Sequence, residues 1–148
     1  MANILVTGGA GYIGSHICDI LLETSHNIFV IDNLSNSVFK NIQVLKEKHS
    51  KNNSQLFFFK KDIRNISDLK YVFEYSLKIN KNIDFVIHLS GLKSVSDSLK
   101  YPIKYWENNV VGTINILKIM EEFNCYNIIF SSSACVYSKN AIPPFTEK

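Results

Sequence analysis

Ile4-Leu5-Val6-Thr7-Gly8-Gly9-Ala10-Gly11-Tyr12-Ile13-Gly14-Ser15 decides how this 148-residue chain is read. A short apolar strand runs straight into glycines at positions 8, 11 and 14, and a helical pattern follows. Strand, tight turn and helix in that order bring backbone N–H groups up to a pyrophosphate. Gly8 permits a turn residue with positive φ. Gly11 lets phosphates come close to the backbone, and Gly14 lets the helix pack tightly. The helix N-terminus adds unpaired N–H donors and a partial positive charge. Three spaced glycines alone are a loose signature, so the rest of the chain has to agree with them.

The composition is that of a folded domain. Hydrophobic residues are 46% and charged residues 20% of the chain, which excludes the disordered class. The net charge of +3 comes from scattered lysines, so no nucleic-acid partner is expected. Cys18, Cys125 and Cys135 show no C-x-x-C spacing, and reduced thiols in a cytoplasmic protein are the expectation. The first strand begins within three residues of Met1, so no secretory signal is expected. The apolar runs, such as Leu56-Phe57-Phe58-Phe59, are far shorter than the ~20 residues that span a bilayer, so no membrane association is expected.

Apolar strands alternate with helical patterns along the whole chain. Strands are expected at about 3–7, 28–31, 55–60, 84–89 and 127–130. Helices are expected over 12–23, 38–49 and 66–79, and as one long helix after Pro102. The first of these should bury Ile13, Ile17, Ile20 and Leu21, and the third Ile66, Leu69, Val72 and Phe73 with Ser67 as a possible cap. The long one should bury Ile103, Trp106, Val110, Ile114, Leu117 and Met120. Such alternation predicts an α/β fold, a doubly wound parallel sheet. Ligands in these sheets sit beyond the carboxyl ends of the strands, and every polar cluster of the chain falls there.

Asp32 ends the second strand, 18 residues after Gly14 (32 − 14). A carboxylate there can accept the ribose hydroxyls of adenosine and would repel a 2′-phosphate, so NAD is expected rather than NADP. A turn-forming Asp32-Asn33 pair is the alternative. Asp62-Ile63, after the third strand, could bracket an adenine with one polar contact and one apolar wall, or simply open a helix. With strand order 3-2-1-4-5, Gly91 and Lys93 lie beside the glycine turn, and Lys93 could approach the pyrophosphate. Asn109 shares a helix face with Trp106 and Thr113 and needs a polar partner, from backbone or cofactor, whereas Asn108 points elsewhere. His88, inside an apolar strand, is a core histidine, and nothing resembles a metal cluster. A hydroxyl of Ser131-Ser132-Ser133, after strand five, could bond a substrate alcohol.

Together these residues resemble the extended short-chain dehydrogenase/reductase family, and within it the UDP-hexose 4-epimerases. The resemblance rests on residues 6–16, Asp32–Ser37, Asp62-Ile63-Arg64, Gly91–Val95, Asn108–Val110 with Gly112-Thr113, and Phe130–Ala134. Related 4,6-dehydratases carry an acidic residue after the strand-five serines, where this chain has Ala134-Cys135. The resemblance implies a Rossmann domain over residues 1–148, incomplete at its C-terminal end. It also implies NAD-dependent interconversion of UDP-glucose and UDP-galactose by oxidation and re-reduction at C4. The implied cofactor positions are Gly8, Gly11, Tyr12, Ile13, Gly14, Asp32, Asn33, Asn36, Ser37, Asp62, Ile63, Leu89, Ser90, Gly91, Lys93 and Asn109. Ser133 is the implied hydrogen-bond partner of the reacting hydroxyl. A homodimer, paired through the long helix, is implied for a complete enzyme.

Ser90 and Ser138 depart mildly from the family pattern, at positions where alanine and glycine are common. More consequential is the family's Tyr-x-x-x-Lys general base, which has no counterpart after Ser133: Tyr137 is followed by Ala141 at the fourth position. The 148 residues alone are therefore expected to be inactive. A non-catalytic NAD-binding module is the alternative from another functional class.

Overall fold

The computed structural model describes residues 1–51, 55–133, 136, 137, 140 and 142–146. Five parallel strands, β1 (Asn3–Thr7), β2 (Asn27–Ile31), β3 (Leu56–Phe59), β4 (Phe85–His88) and β5 (Asn127–Phe130), form one sheet in the order β3-β2-β1-β4-β5. The switch in order falls at β1, where the chain turns from building toward β3 to building toward β5. This is the order on which the placing of Gly91 and Lys93 beside the glycine turn depended, and β3 and β4 are each slightly shorter than expected.

Strand alternation divides the core. Leu5, Phe29, Ile31 and Val86 face one side, against α3 (Ile66–Lys78) and the helix α6 (Gly112–Glu122). Ile4, Val6, Ile28, Val30 and Ile87 face the other, against α1 (Tyr12–Glu23) and α2 (Phe39–Lys48). Both faces are covered, so the central strands are apolar throughout, as parallel sheets require. Each fully buried Leu, Ile or Phe contributes about 1.5–3 kcal/mol relative to exposure, and these two layers supply most of the driving force.

Two helices bury a face that only partly matches the one their periodicity suggests, with Met120 buried as expected. In α1 the fully buried residues are Gly14, Cys18 and Leu22; of the expected stripe, Ile17 and Leu21 are half-buried against the same core, whereas Ile13 and Ile20 are exposed. Gly14 sets this line. A Cβ there would stand 2.3 Å from the Gly8 carbonyl oxygen, so the helix meets the turn through its glycine and packs along i, i+4, i+8. The helix after Pro102 is continuous but not uniform. α5 (Pro102–Trp106) passes through a π-helical turn at Glu107–Val111 into α6. Gly112, Asn115, Ile116, Ile119 and Met120 are buried, whereas Ile103, Trp106, Val110, Ile114 and Leu117 are exposed, Trp106 at 64%. The helix carries two apolar stripes. Gly112 selects the one that meets the sheet, because a Cβ there would collide with Ile63 Cδ1 at 2.6 Å.

Smaller corrections follow local chemistry. α3 is capped by Asn65, whose side chain accepts from the Ser67 N–H, so Ser67 is not the cap. Ile66 is exposed, unlike the other three apolar residues assigned to its stripe. A short helix, α4 (Val95–Lys100), capped by the Ser94 hydroxyl, occupies a stretch with no earlier assignment. No helix among the described residues is long and apolar enough to cross a membrane.

Candidate dinucleotide site

The site forms where β1, β2, β3 and β4 release their chains. Gly8 leaves β1 with φ +71°, a conformation that a side chain disfavours. Its amide donates to Ile31 O at 2.8 Å, so the turn is fixed to the end of β2. Gly11 precedes α1 in extended conformation with no side-chain cap. The first N–H groups of this 12-residue helix therefore stay open at its positive end. A Cβ on Gly11 would meet only the Gly8 carbonyl, at 3.2 Å, and otherwise open space. The three glycines thus divide the tasks as expected: conformation at 8, open approach at 11, close packing at 14. Gly9 is also constrained, since a Cβ there would lie 2.8 Å from Val30 Cγ1.

Asp32 stands at the end of β2 with 7% exposure. Its Oδ2 accepts from Ala10 N at 3.0 Å, and its Oδ1 accepts from Leu34 N at 2.9 Å and Ser37 Oγ at 2.8 Å. The turn geometry given above as the alternative is therefore present, and it holds Leu34 at φ 59°. Of the roughly four acceptor directions of a carboxylate, one on Oδ2 remains for a ligand hydroxyl. Asn36 is exposed in the same loop. Asn33 reaches across to β3, its Nδ2 donating to Asp62 Oδ2 at 3.0 Å.

Asp62 is paired with Arg64, which donates Nη2–H to Oδ2 at 2.7 Å and Nε–H to Oδ1 at 3.0 Å. That guanidinium holds the Asp62 carboxyl well below the usual carboxylate range. Ile63 is 4% exposed and fills the core against Gly112, so its side chain is not an open wall for an adenine. Its carbonyl accepts from Asn115 Nδ2 at 3.2 Å. A cleft of about 370 Å³, lined by Asp62, Arg64, Asn65, Glu107 and Val111, opens beside this pair.

On the β4 side, Ser90 and Leu89 pass directly over Gly8; a Cβ on Gly8 would lie 3.1 Å from the Ser90 amide. Asn109 finds its partner in backbone. Its Oδ1 accepts from Leu92 N and its Nδ2 donates to Leu92 O, both at 2.8 Å, which clamps the 89–92 segment to the helix. Asn108 does not point away, since its Nδ2 donates to Asn109 Oδ1 at 2.9 Å. Gly91 and Lys93 are exposed at the mouth of the site. His88 is buried as expected, bonded to Thr7 and Thr113, and burial pushes its pKa down to about 4. Ser133 is exposed beyond β5, which is the sheet's edge strand among the described residues. Ala134, Cys135, Ser138 and Ala141 lie outside the described residues.

Two contributors were missed from sequence. Ala10 offers a backbone amide, which leaves no trace in residue type. Asn41 donates Nδ2–H to Ala10 O at 2.8 Å from within α2, where an isolated Asn is indistinguishable from a surface residue. The Asp62-x-Arg64 spacing was a usable signal for the ion pair. Elsewhere, Asp19, Glu23 and His49 bring ligand atoms within 4.8 Å of one another. Lys48 already occupies that cluster, contacting Asp19 at 2.8 Å and Glu23 at 2.9 Å. The Cys18 thiol, pushed up to about 12 chiefly by burial, is no nucleophile.

A glycine turn at the order switch, an open helix N-terminus and an acidic residue closing the next strand define a nucleotide-binding α/β domain. A family model described as GDP-mannose 4,6 dehydratase matches residues 5–148, and the chain belongs to that family. It is 46% identical over 147 residues to a UDP-glucose 4-epimerase of Yersinia enterocolitica, covering 99% of this chain and 41% of the relative. It is 40% identical over 146 residues to UDP-glucose 4-epimerase 2 of Arabidopsis thaliana, covering 99% and 40%. The fold superposes with TM-score 0.86 and 35% identity on a Bifidobacterium longum UDP-glucose 4-epimerase solved in complex with NAD+ and UDP, covering 99% of this chain and 42% of that one. The chain therefore spans about 40% of the length of the relatives it matches.

Proposed function

We propose that this chain is the NAD-holding portion of a UDP-glucose 4-epimerase. The observation that carries the reading is the glycine turn: Gly8 at positive φ, Gly11 open to an approaching group, Gly14 closed against Gly8, with Asp32 tied across it. The α1 N-terminus and the Gly11 amide would hold the pyrophosphate. The remaining acceptor direction of Asp32 would take a ribose hydroxyl. Asp62, with the Ile63 backbone, would border the adenine. Leu89, Ser90 and Gly91 would back the nicotinamide half, Lys93 would reach toward the phosphates, and Asn109 would keep that segment in place. When bound, NAD supplies reversible hydride acceptance at the sugar's C4.

Ser133 would donate to or accept from the reacting hydroxyl of a UDP-hexose. A Tyr-x-x-x-Lys base and the UDP-sugar pocket would come from the part of the relatives' length that this chain does not span. The exposed stripe of Ile103, Trp106, Val110, Ile114 and Leu117 would form the subunit contact of a homodimer. The test is direct. Purified 148-residue chain should bind NAD+ yet leave UDP-galactose unconverted, while the same segment joined to the remaining portion of a relative should convert it to UDP-glucose. A joined protein that binds NAD+ and shows no conversion would contradict the reading.

A further inference from the structure

At the strand ends, a single buried side chain bridges β1 and α6 beside the glycine turn. His88 ends β4, opposite Thr7 in the parallel register. Its Nδ1 lies 2.7 Å from Thr7 Oγ1, and its Nε2 lies 2.9 Å from Thr113 Oγ1. The other bonds of the two hydroxyls fix the direction of each. Thr113 Oγ1 donates its one proton to Asn109 O at 2.7 Å, in the π-helical turn. Its oxygen must therefore accept from His88 Nε2–H. A neutral imidazole with its proton on Nε2 leaves Nδ1 as acceptor, so Thr7 Oγ1–H donates to it. The Thr7 oxygen then receives the amides of Leu89 at 3.2 Å and Ser90 at 3.3 Å. Every donor has an acceptor, and only one tautomer completes the chain.

The relay ends on the pieces that define the site. Thr7 is the residue before Gly8. Leu89 and Ser90 lie so close over Gly8 that a Cβ there would stand 3.1 Å from Ser90 N and 3.2 Å from the Leu89 carbonyl carbon, tighter than ordinary packing. Asn109, at the far end, grips both backbone groups of Leu92. We propose that His88 is a positioning residue for the dinucleotide: by bridging Thr7 and Thr113 it sets the distance between the glycine turn and the Leu89–Leu92 segment that would face the bound nucleotide. This rests on the NAD reading above. A buried histidine that only filled space would need neither hydroxyl, and a leucine would serve as well.

The test uses the 148-residue chain and NAD+ titration calorimetry, with binding expressed per folded molecule. Wild type should bind. Thr113→Val, which removes the far hydroxyl at nearly constant volume, should bind NAD+ about tenfold more weakly, the effect of one buried hydrogen bond. Thr113→Ser, which restores the hydroxyl, should return within about twofold of wild type. Nitrogen-15 spectra should show His88 protonated on Nε2 alone. Thr113→Val with a lowered melting temperature but wild-type NAD+ affinity would make His88 a packing residue and overturn the proposal. A proton on Nδ1 would overturn it too, even if Thr113→Val fails to fold. A wild-type chain that binds no NAD+ would overturn the nucleotide reading itself and this role with it.

Discussion

The Ala10 amide donates to Asp32 Oδ2 at 3.0 Å, which fastens the end of β2 to the turn leaving β1. The same carboxylate holds Leu34 N and Ser37 Oγ. One side chain thus sets the shape of two loops before any ligand arrives. It also keeps Leu34 in the left-handed region, which costs a non-glycine residue about 1–2 kcal/mol.

Replacing Asp32 by Ala should therefore do more than remove a ligand contact. Three donors lose their acceptor, and stability should fall by about 1–3 kcal/mol. Urea denaturation of wild type and Asp32→Ala checks this, and an unchanged midpoint would mean the loops hold themselves.

Gly11 and Gly14 should respond oppositely to the same added methyl. Gly14→Ala places Cβ 2.3 Å from Gly8 O and 2.7 Å from Gly9 Cα, both backbone atoms that cannot step aside. A loss of about 1–3 kcal/mol or more is expected. Gly11→Ala meets only Gly8 O at 3.2 Å, so the chain should fold almost as wild type. Its NAD+ affinity should nevertheless drop at least about tenfold, because the methyl occupies the approach to the turn. Melting curves and titration calorimetry on both variants separate folding from binding.

Acid should weaken the fold through His88. Its pKa is about 4 in the folded chain, against 6.5 for the free group, because burial disfavours the charged ring. Between those values the unfolded chain binds the extra proton and the folded chain does not, so stability falls as pH drops from 6.5 to 4. Below the lower value the folded form protonates as well and the loss stops growing. His88→Gln lacks this titration. Its stability difference from wild type should shrink as pH falls across the window, read from urea midpoints at successive pH values.

Ile129 is 60% exposed on β5, which has a hydrogen-bonded neighbour on β4 alone among the described residues. An apolar, one-sided strand invites pairing between chains. Ile129→Lys should reduce concentration-dependent aggregation of the 148-residue chain without lowering its melting temperature by more than a few degrees. Light scattering against concentration is the check.

The α/β class, the positions of the five strands and the division of labour among Gly8, Gly11 and Gly14 were legible in the sequence. Each depends on local chemistry: apolar runs, turn glycines and their spacing. Helix faces were less legible. In α1 and in the helix after Pro102, branched aliphatic residues outline one stripe, yet a glycine at the contact point rotates the packing to another. A glycine adds nothing to a hydrophobic count, so close approach is invisible to periodicity. Ile63 was misassigned for a related reason, since Gly112 opens the core space that its side chain takes. The backbone donors to Asp32 and the Thr7–His88–Thr113 relay carry no signature in sequence because their meaning lies in distances between segments far apart along the chain.

On the proposed reading, the glycine turn and Asp32 would together select NAD over NADP. Calorimetric titration of the purified chain with NAD+ and, separately, NADP+ tests it most directly. NAD+ should bind with one site, and NADP+ at least about tenfold more weakly, because its 2′-phosphate would meet the Asp32 carboxylate. Equal affinity for the two, or no heat from either with a folded chain, would contradict the account.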